Sequence, residues 1–528
     1  MAELNKNSCG VHRSNSLVAL FMRVYVIFIG VGLPLFVRNK YFDILISKYY
    51  FYCICTITMI IILVICVILQ RYKIIQSVDK DLLNKAFENL TLTDYSVLAF
   101  YLITILSTIT SDFVFESFWG NEGRFTGLFL ITWYVLSYFC VSKFWEFKKN
   151  DINIIIAAGI FICLFGITDY FKLDIFKFKA PMVAGQRAIF TSTIGNINTY
   201  TAYVGIIVAI STVLFSLSKE LKQSVIYYIC MVISFFAIIM GVSDNAYLSL
   251  ASLFCLLPFI LFSSKNGMRK YLIIITTFFT VIQCIDWINL FMGDRVLGID
   301  SAFNMVIGFS GLHYIVIALW AAICIEKAID TKFGNRDKVY GNTFKCIWIF
   351  VMVAVLLGIL YIYYDINILG NSTKYGGLSA YFVFNDDWGT HRGYIWRNAM
   401  ERFSGLSIFK KIIGFGPETF GIFILQRTAN NPYKELFDSA HNEYLHLLIT
   451  VGVAGLTSYL VFIISNILDT LKHNRNNSYI LAIAFAVISY SIQAVVNLNL
   501  PITTPVFWLL LGIMAAKKTR YTSKSIEE

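Results

Sequence analysis

Apolar residues run along most of this chain in blocks of roughly 17 to 25, the length that carries a helix across about 30 Å of hydrocarbon. About fourteen such blocks are present, near residues 17–37, 50–70, 95–111, 126–146, 152–168, 196–218, 223–242, 245–262, 271–292, 305–325, 345–365, 441–466, 479–497 and 501–516. A backbone in lipid must satisfy its own polar groups, so the pattern predicts an all-α polytopic bundle. The first block carries Arg23 and has no small-residue cleavage site, and reads as a span, not a removable signal. The rhythm breaks once, over residues 366–440, about 75 residues of mixed polarity with aromatics and glycines, long enough for a small domain. Four segments follow: N-terminal spans over 1–119, a central bundle over 120–365, the large loop over 366–440, and C-terminal spans with a tail over 441–528.

Composition agrees with this division. With 58% hydrophobic and only 14% charged residues over 528 positions, a soluble domain of this length is excluded. The formal charge of +11 has a topological reading. Lys73, Lys80, Lys85, Lys148, Lys149, Lys219, Lys222, Lys265, Arg269, Lys270, Lys327, Lys332, Lys472, Arg475, Lys517 and Lys518 all fall on the cytoplasmic side if both termini are cytoplasmic. Arg38, Lys40 and Lys48 dissent. The excess is then a sorting signal, with no nucleic-acid partner implied, and residues 366–440 face outward. The eleven cysteines lie in the N-terminal tail or within or beside spans, and show no disulfide or zinc spacing.

Candidate chemistry gathers on the same outer boundary. HNEYLHLLITVGVAGL, residues 441–456, opens what reads as a continuous span. His441 there shares a face with Leu445, Leu448, Gly452 and Gly455, the glycines admitting a close neighbour. The imidazole is either an interfacial cap or a working group, and His446, rotated off that face, is its control. GTHRGYIWRNAMERF, residues 389–403, reads as an amphipathic helix whose Trp396, Ala399, Met400 and Phe403 suit a bilayer surface, with Arg392 at its start. GFGPETFGIF, residues 414–423, reads as a glycine turn with free backbone amides. GNEGRFTGL brings Arg124, and GQRAIFTSTIGNINTYTAY brings Arg187, Asn196 and Asn198. Each arginine alone is as well explained as a snorkelling anchor. Together, Arg124, Arg187 and Arg392 supply planar forks for phosphate oxygens, and a neutral His441 supplies a proton acceptor. At that depth the pair suits glycan transfer from a polyprenyl diphosphate, without a metal or other cofactor.

These motifs resemble the O-antigen ligase and O-antigen polymerase superfamily of bacterial membrane glycosyltransferases. The likeness is most specific in HNEYLHLLITVGVAGL. It is supported by HRGYIWRNAM with GFGPETF, by Gly195-Asn196-Ile197-Asn198, by GRFTGL and by PVFWLLLGI. It runs from about residue 120 to the C-terminus. The resemblance implies a C-type glycosyltransferase bundle in the cytoplasmic membrane, its site under the large loop. The implied donor is an undecaprenyl-diphosphate glycan, and the acceptor a glycan, lipid or protein. Arg392 and His441 take the catalytic positions, with Arg124, Arg187, Asn196, Asn198 and Asn442 around the substrate. Many ligases carry an arginine in a middle span where this chain has Asn245 in GVSDNAYLSL. Arg124 or Arg187 would then make good that charge. Two other classes stand beside this reading. A transporter or flippase would need ionisable residues deep in its spans, where Arg23 and Asp286 are the main candidates. A metal-dependent transferase would use Asp386 and Asp387, or Asp112 and Glu122, as oxygen ligands.

Overall fold

A computed structural model describes residues 17–71, 88, 90–121, 123–299, 303–333 and 339–516. Eleven described helices are long and apolar enough to span a membrane: α1 (Leu17–Leu35), α2 (Ile44–Arg71), α3 (Leu92–Ile109), α5 (Lys149–Tyr170), α6 (Ile197–Leu217), α7 (Leu221–Met240), α9 (Lys265–Met292), α10 (Leu312–Phe333), α11 (Thr343–Asn367), α16 (Gly452–His473) and α17 (Ser478–Gln493). Three shorter apolar helices complete the set, α4 (Leu128–Phe144), α8 (Ala246–Leu261) and α18 (Thr504–Met514). These correspond to the blocks at 126–146, 245–262 and 501–516, which form shorter apolar helices than the other eleven. The chain is a multi-pass helical membrane protein. The one described sheet is a two-residue-per-strand hairpin, Phe190–Thr191 against Gly195–Asn196.

Helix α6 is the axis of the bundle, almost wholly buried, with α7 and α17 packed along it and α5 and α8 beside it, while α18 packs on α4 and α17. Trp508 of α18 stacks on Tyr134 of α4 at 5.5 Å and meets Phe462 of α16 at 5.3 Å, which fixes the C-terminal helices against the centre. By contrast α11 is exposed along most of its length, with Ile347, Phe350, Leu357 and Tyr361 on its surface.

Charged groups in or beside spans are paired. Arg23 of α1 makes a forked contact with the buried Asp151 at the start of α5, at 2.7 and 3.0 Å. Lys143 of α4 meets Asp94 of α3 at 2.7 Å. The fully buried Lys48 of α2 donates to the carbonyls of Leu33 and Pro34, each at 2.8 Å, satisfying acceptors that the end of α1 leaves open. Lys48 is thus a dissenter from the charge rule for a structural reason. Asp286 accepts from Gln283 within its own helix.

The connections at one end of the bundle are knitted together. Tyr41 donates to the Ser192 carbonyl at 2.9 Å, Leu297 N–H to the Tyr170 carbonyl at 2.9 Å, and Ser243 to Asn198 Oδ1 at 2.7 Å. The long loop after α11 closes over that end. It contains α12 (Trp388–Ser404), α13 (Ile408–Ile413), α14 (Phe420–Thr428) and α15 (Glu443–Thr450). These helices share a core of their own, in which Ile395, Ala399, Phe403, Phe415, Phe420, Phe423, Ile424, Ala440 and Ile449 are buried. The stripe on α12 therefore faces protein: Ala399 and Phe403 are buried and only Met400 stands exposed. Its apolar periodicity was a core signal, which spacing alone does not distinguish from a membrane-surface face.

Candidate functional site

Arg124 is aimed by a tight loop. Gly120 holds a φ of +85°, and a Cβ there would lie 2.8 Å from the backbone of Phe125 and Thr126. The turn closes with Arg124 and Phe125 N–H groups both donating to the Asn121 carbonyl, at 2.9 and 2.8 Å. The guanidinium, itself buried, forks onto Asp438 at 2.6 and 3.2 Å. Burial opposes ionisation of Asp438, but Arg124 holds the carboxylate below its ordinary range.

Residues 441–466 are not one helix. α15 ends at Thr450, and Gly452, at φ +72°, starts α16. A Cβ on Gly452 would lie 2.2 Å from the Ile412 carbonyl oxygen, and one on Gly414 would lie 2.3 Å from that of Thr450. Gly455 faces another helix, with Ile103 of α3 3.5 Å from where a Cβ would lie, whereas the close approach at Gly452 is to the segment leading into the GFG turn. The turn's amides are spent there too: Phe415 and Gly416 N–H donate to the carbonyls of Ile449 and Thr450, each at 2.9 Å. They are unavailable to a phosphate. Asn442 is the N-cap of α15, its Oδ1 accepting from Leu445 N–H at 3.0 Å. His441 stands one residue earlier, at φ +47°, with its backbone N–H on Ser439 Oγ at 3.1 Å. The capping role therefore belongs to Asn442, and the imidazole is left over.

Arg392 enters from α12. Gly389, Thr390 and His391 all lie in the left-handed region, at φ of 62°, 59° and 65°. For the two side-chain-bearing residues this conformation costs of order 1–3 kcal/mol each, held by surrounding contacts. Tyr394 N–H donates to the Asp386 carbonyl at 3.1 Å, and His391 stacks on Tyr433 with centroids 3.6 Å apart. Arg392 feels the charge of Asp244, in the connection between α7 and α8. Burial lowers the guanidinium's pKa and Asp244 acts against that.

Two arginines from distant parts of the chain thus flank His441. Burial first, then Arg124 and Arg392, bring the imidazole pKa down to about 4, with Asp438 opposing. His441 is neutral at physiological pH, as a proton acceptor must be. Residues 301–460 match the family model described as O-antigen ligase. Over that segment the chain is similar to the O-antigen ligase family. The matched segment contains Arg392, Glu418, Asp438 and His441, whereas Arg124 and Asp244 lie before it. No curated protein matches the chain.

Around this O-antigen ligase-like segment the remaining sequence candidates separate. Asn442 lines the same cavity as Arg124. Asn198 accepts Ser243 and offers its carbonyl to Asn497 at 3.3 Å, which supports the connection bearing Asp244. Asn196 caps α6 and borders a separate surface hollow with Tyr41 and Leu500. Arg187 is exposed, and its guanidinium donates to the carbonyls of Met182 and Ala180 in its own loop. Asn245 is buried beside Asp244, so the middle-span connection presents an anion to Arg392 and no cation of its own. Among the acidic candidates, Asp386 forks onto Arg397 at 2.7 and 3.0 Å, Asp387 accepts from Tyr433, and Asp112 lies 3.6 Å from Lys410. Glu122 lies outside the described residues.

Three residues join the site that the sequence reading did not name: Asp244, Glu418 and Asp438. His446 also belongs here, its Nε2 lying 3.7 Å from Glu418, and so is no neutral control. Glu418 was findable as a carboxylate set in an otherwise apolar glycine turn. It occupies φ +56° with its side chain 1% exposed, and accepts the Thr126 hydroxyl. Burial pushes its carboxyl up to about 7, against Arg124 and Thr126. The folded state thus favours the protonated form. That contribution to stability is fully present below the ordinary carboxyl pKa and is lost as pH rises through about 7.

Trp396 ties α12 to the turn that carries His441, its indole N–H donating to the Ala440 carbonyl at 2.7 Å. Trp396→Phe keeps the ring and drops that bond. We expect a stability loss of about 1 kcal/mol by thermal unfolding and a severalfold fall in turnover. Unchanged turnover would show that His441 does not depend on this tether.

Proposed function

We propose that the protein is a membrane glycosyltransferase that moves a glycan from a polyprenyl-diphosphate donor at the outer face of the bacterial cytoplasmic membrane, in cell-surface polysaccharide assembly. The observation that carries this reading is the neutral, half-buried His441 under the influence of Arg124 and Arg392. Two guanidiniums suit a diphosphate, whose negative charge grows as the glycosyl bond breaks. A neutral imidazole beside them suits removal of the acceptor's hydroxyl proton. The charge pattern of the connections supports an outward orientation for this end of the bundle.

Purified enzyme given lipid-linked repeat units alone tests the reaction. Chain growth means a polymerase; turnover that begins only on adding a second glycan, lipid or protein acceptor means a ligase. No transfer under either condition, with donor still bound, would sink the transfer reading. Topology has its own test. Asn430, exposed in the large loop, should be labelled as Asn430→Cys in intact cells by an impermeant thiol reagent, above the wild-type background. Label that enters only after the membrane is opened would put the site on the wrong side.

A further inference from the structure

Building on the transfer reading, we propose that Glu418, held against His446, is a second acid–base residue of the site: it receives, through water in the adjoining cavity, the proton that the acceptor hydroxyl gives to His441. Glu418 Oε2 takes the Thr126 hydroxyl and faces His446, but Oε1 is fully buried and has no hydrogen-bond partner. It borders a partly enclosed cavity with about 40 Å³ of space for water, enough for about three molecules at about 10–15 Å³ each. Arg124, Ser439 and Asn442 line that cavity as well, and the last two bracket the turn that carries His441. Across it stand Glu443 and Asn499, whose Oδ1 is likewise unpartnered.

The proton balance supplies the reason for such a group. As the acceptor oxygen bonds to the anomeric carbon, its O–H bond breaks and the proton goes to the imidazole. The bond from that carbon to the diphosphate oxygen breaks with its electron pair on the diphosphate. The resulting imidazolium lies in the field of Arg124 and Arg392 as a third positive charge and is disfavoured there. Asp438 is already committed to Arg124. Glu418 lies on the cavity that adjoins the His441 turn and has a free oxygen, and a carboxyl that titrates near 7 can take a proton and release it at physiological pH. Groups facing it are Arg124, Asp438, His446 and, across the cavity, Glu443.

The test uses the full-length enzyme in lipid nanodiscs. Wild-type kcat should fall as pH drops through about 7, where the carboxyl becomes protonated and cannot accept. Glu418→Gln should lower kcat by about tenfold or more above that pH, leave the donor KM within about twofold, and lose the pH limb. A Glu418→Gln enzyme with wild-type kcat and an unchanged limb overturns the proposal. If that variant fails to accumulate, Glu418→Asp decides: a lowered kcat with the limb retained supports the relay, and wild-type kcat overturns it. His441→Ala run alongside separates the two readings. An active His441→Ala sinks the chemistry assigned to His441 and the relay with it, whereas an inactive one beside a wild-type-like Glu418→Gln removes Glu418 alone.

Discussion

His441→Ala should lower turnover by about 10²- to 10⁴-fold while leaving protein level and donor binding largely intact, the range lost with a general base. The measurements are initial rates, donor binding and thermal unfolding on the purified enzyme. A cap would give the reverse pattern, about 1 kcal/mol of stability and little chemistry, but Asn442 holds that position. The backbone adds a complication, since His441 sits at φ +47°, where alanine is strained. His441→Asn meets it: asparagine tolerates the left-handed region, so this variant should fold like wild type and still be inactive. His446 is no longer a suitable silent reference, because it stacks on Phe420 at 5.4 Å and faces Glu418. His473 serves instead, half-exposed at the end of α16 and 3.0 Å from Asp469. Turnover within a few-fold of wild type in both His441 variants would end the assignment.

What the sequence made legible was whatever rests on local periodicity or on a residue's own chemistry. Spans of lipid-crossing length were readable because an isolated helix in hydrocarbon depends on its own composition. His441, Arg124 and Arg392 were readable because few polar groups stand at such boundaries. The misses have one physical origin, in contacts between segments far apart in the chain. The break at Gly452 exists because the GFG turn some 35 residues earlier packs its backbone into it, and nothing within HNEYLHLLITVGVAGL signals that crossing. Trp396 and Phe403 carry the right period for a membrane face and are instead the core of a small cap domain. Asp438 is an ordinary loop carboxylate by spacing, and Glu418 stands out only by the largely apolar turn around it. They matter only because the loop returns them to Arg124, more than 290 positions away. Arg187 shows the opposite error: an arginine beside a span, in a motif of the right flavour, that spends its fork on its own loop.

Arg392→Lys keeps the positive charge and loses the fork, and we expect it to remain impaired by at least about tenfold, since a charge-assisted contact contributes roughly 1.5 to 3 kcal/mol. The geometry sharpens the expectation. Arg392 is largely withdrawn from solvent, with Asp244 opposing its loss of charge, so a lysine there meets the same desolvation with a more strongly hydrated head group. Asp244→Asn gives the complementary result. Removing that anion leaves the fork in place and strengthens the field at the diphosphate, so donor KM should hold or fall even if kcat changes. The Arg392→Lys defect should appear mostly in kcat, because the contact strengthens as the diphosphate gains charge in the transition state. A pure KM effect would mean that Arg392 binds donor and transition state alike. Near-normal kcat and KM would make Arg392 a membrane-boundary anchor, and Arg124 would then be left as the one guanidinium of the pair beside His441.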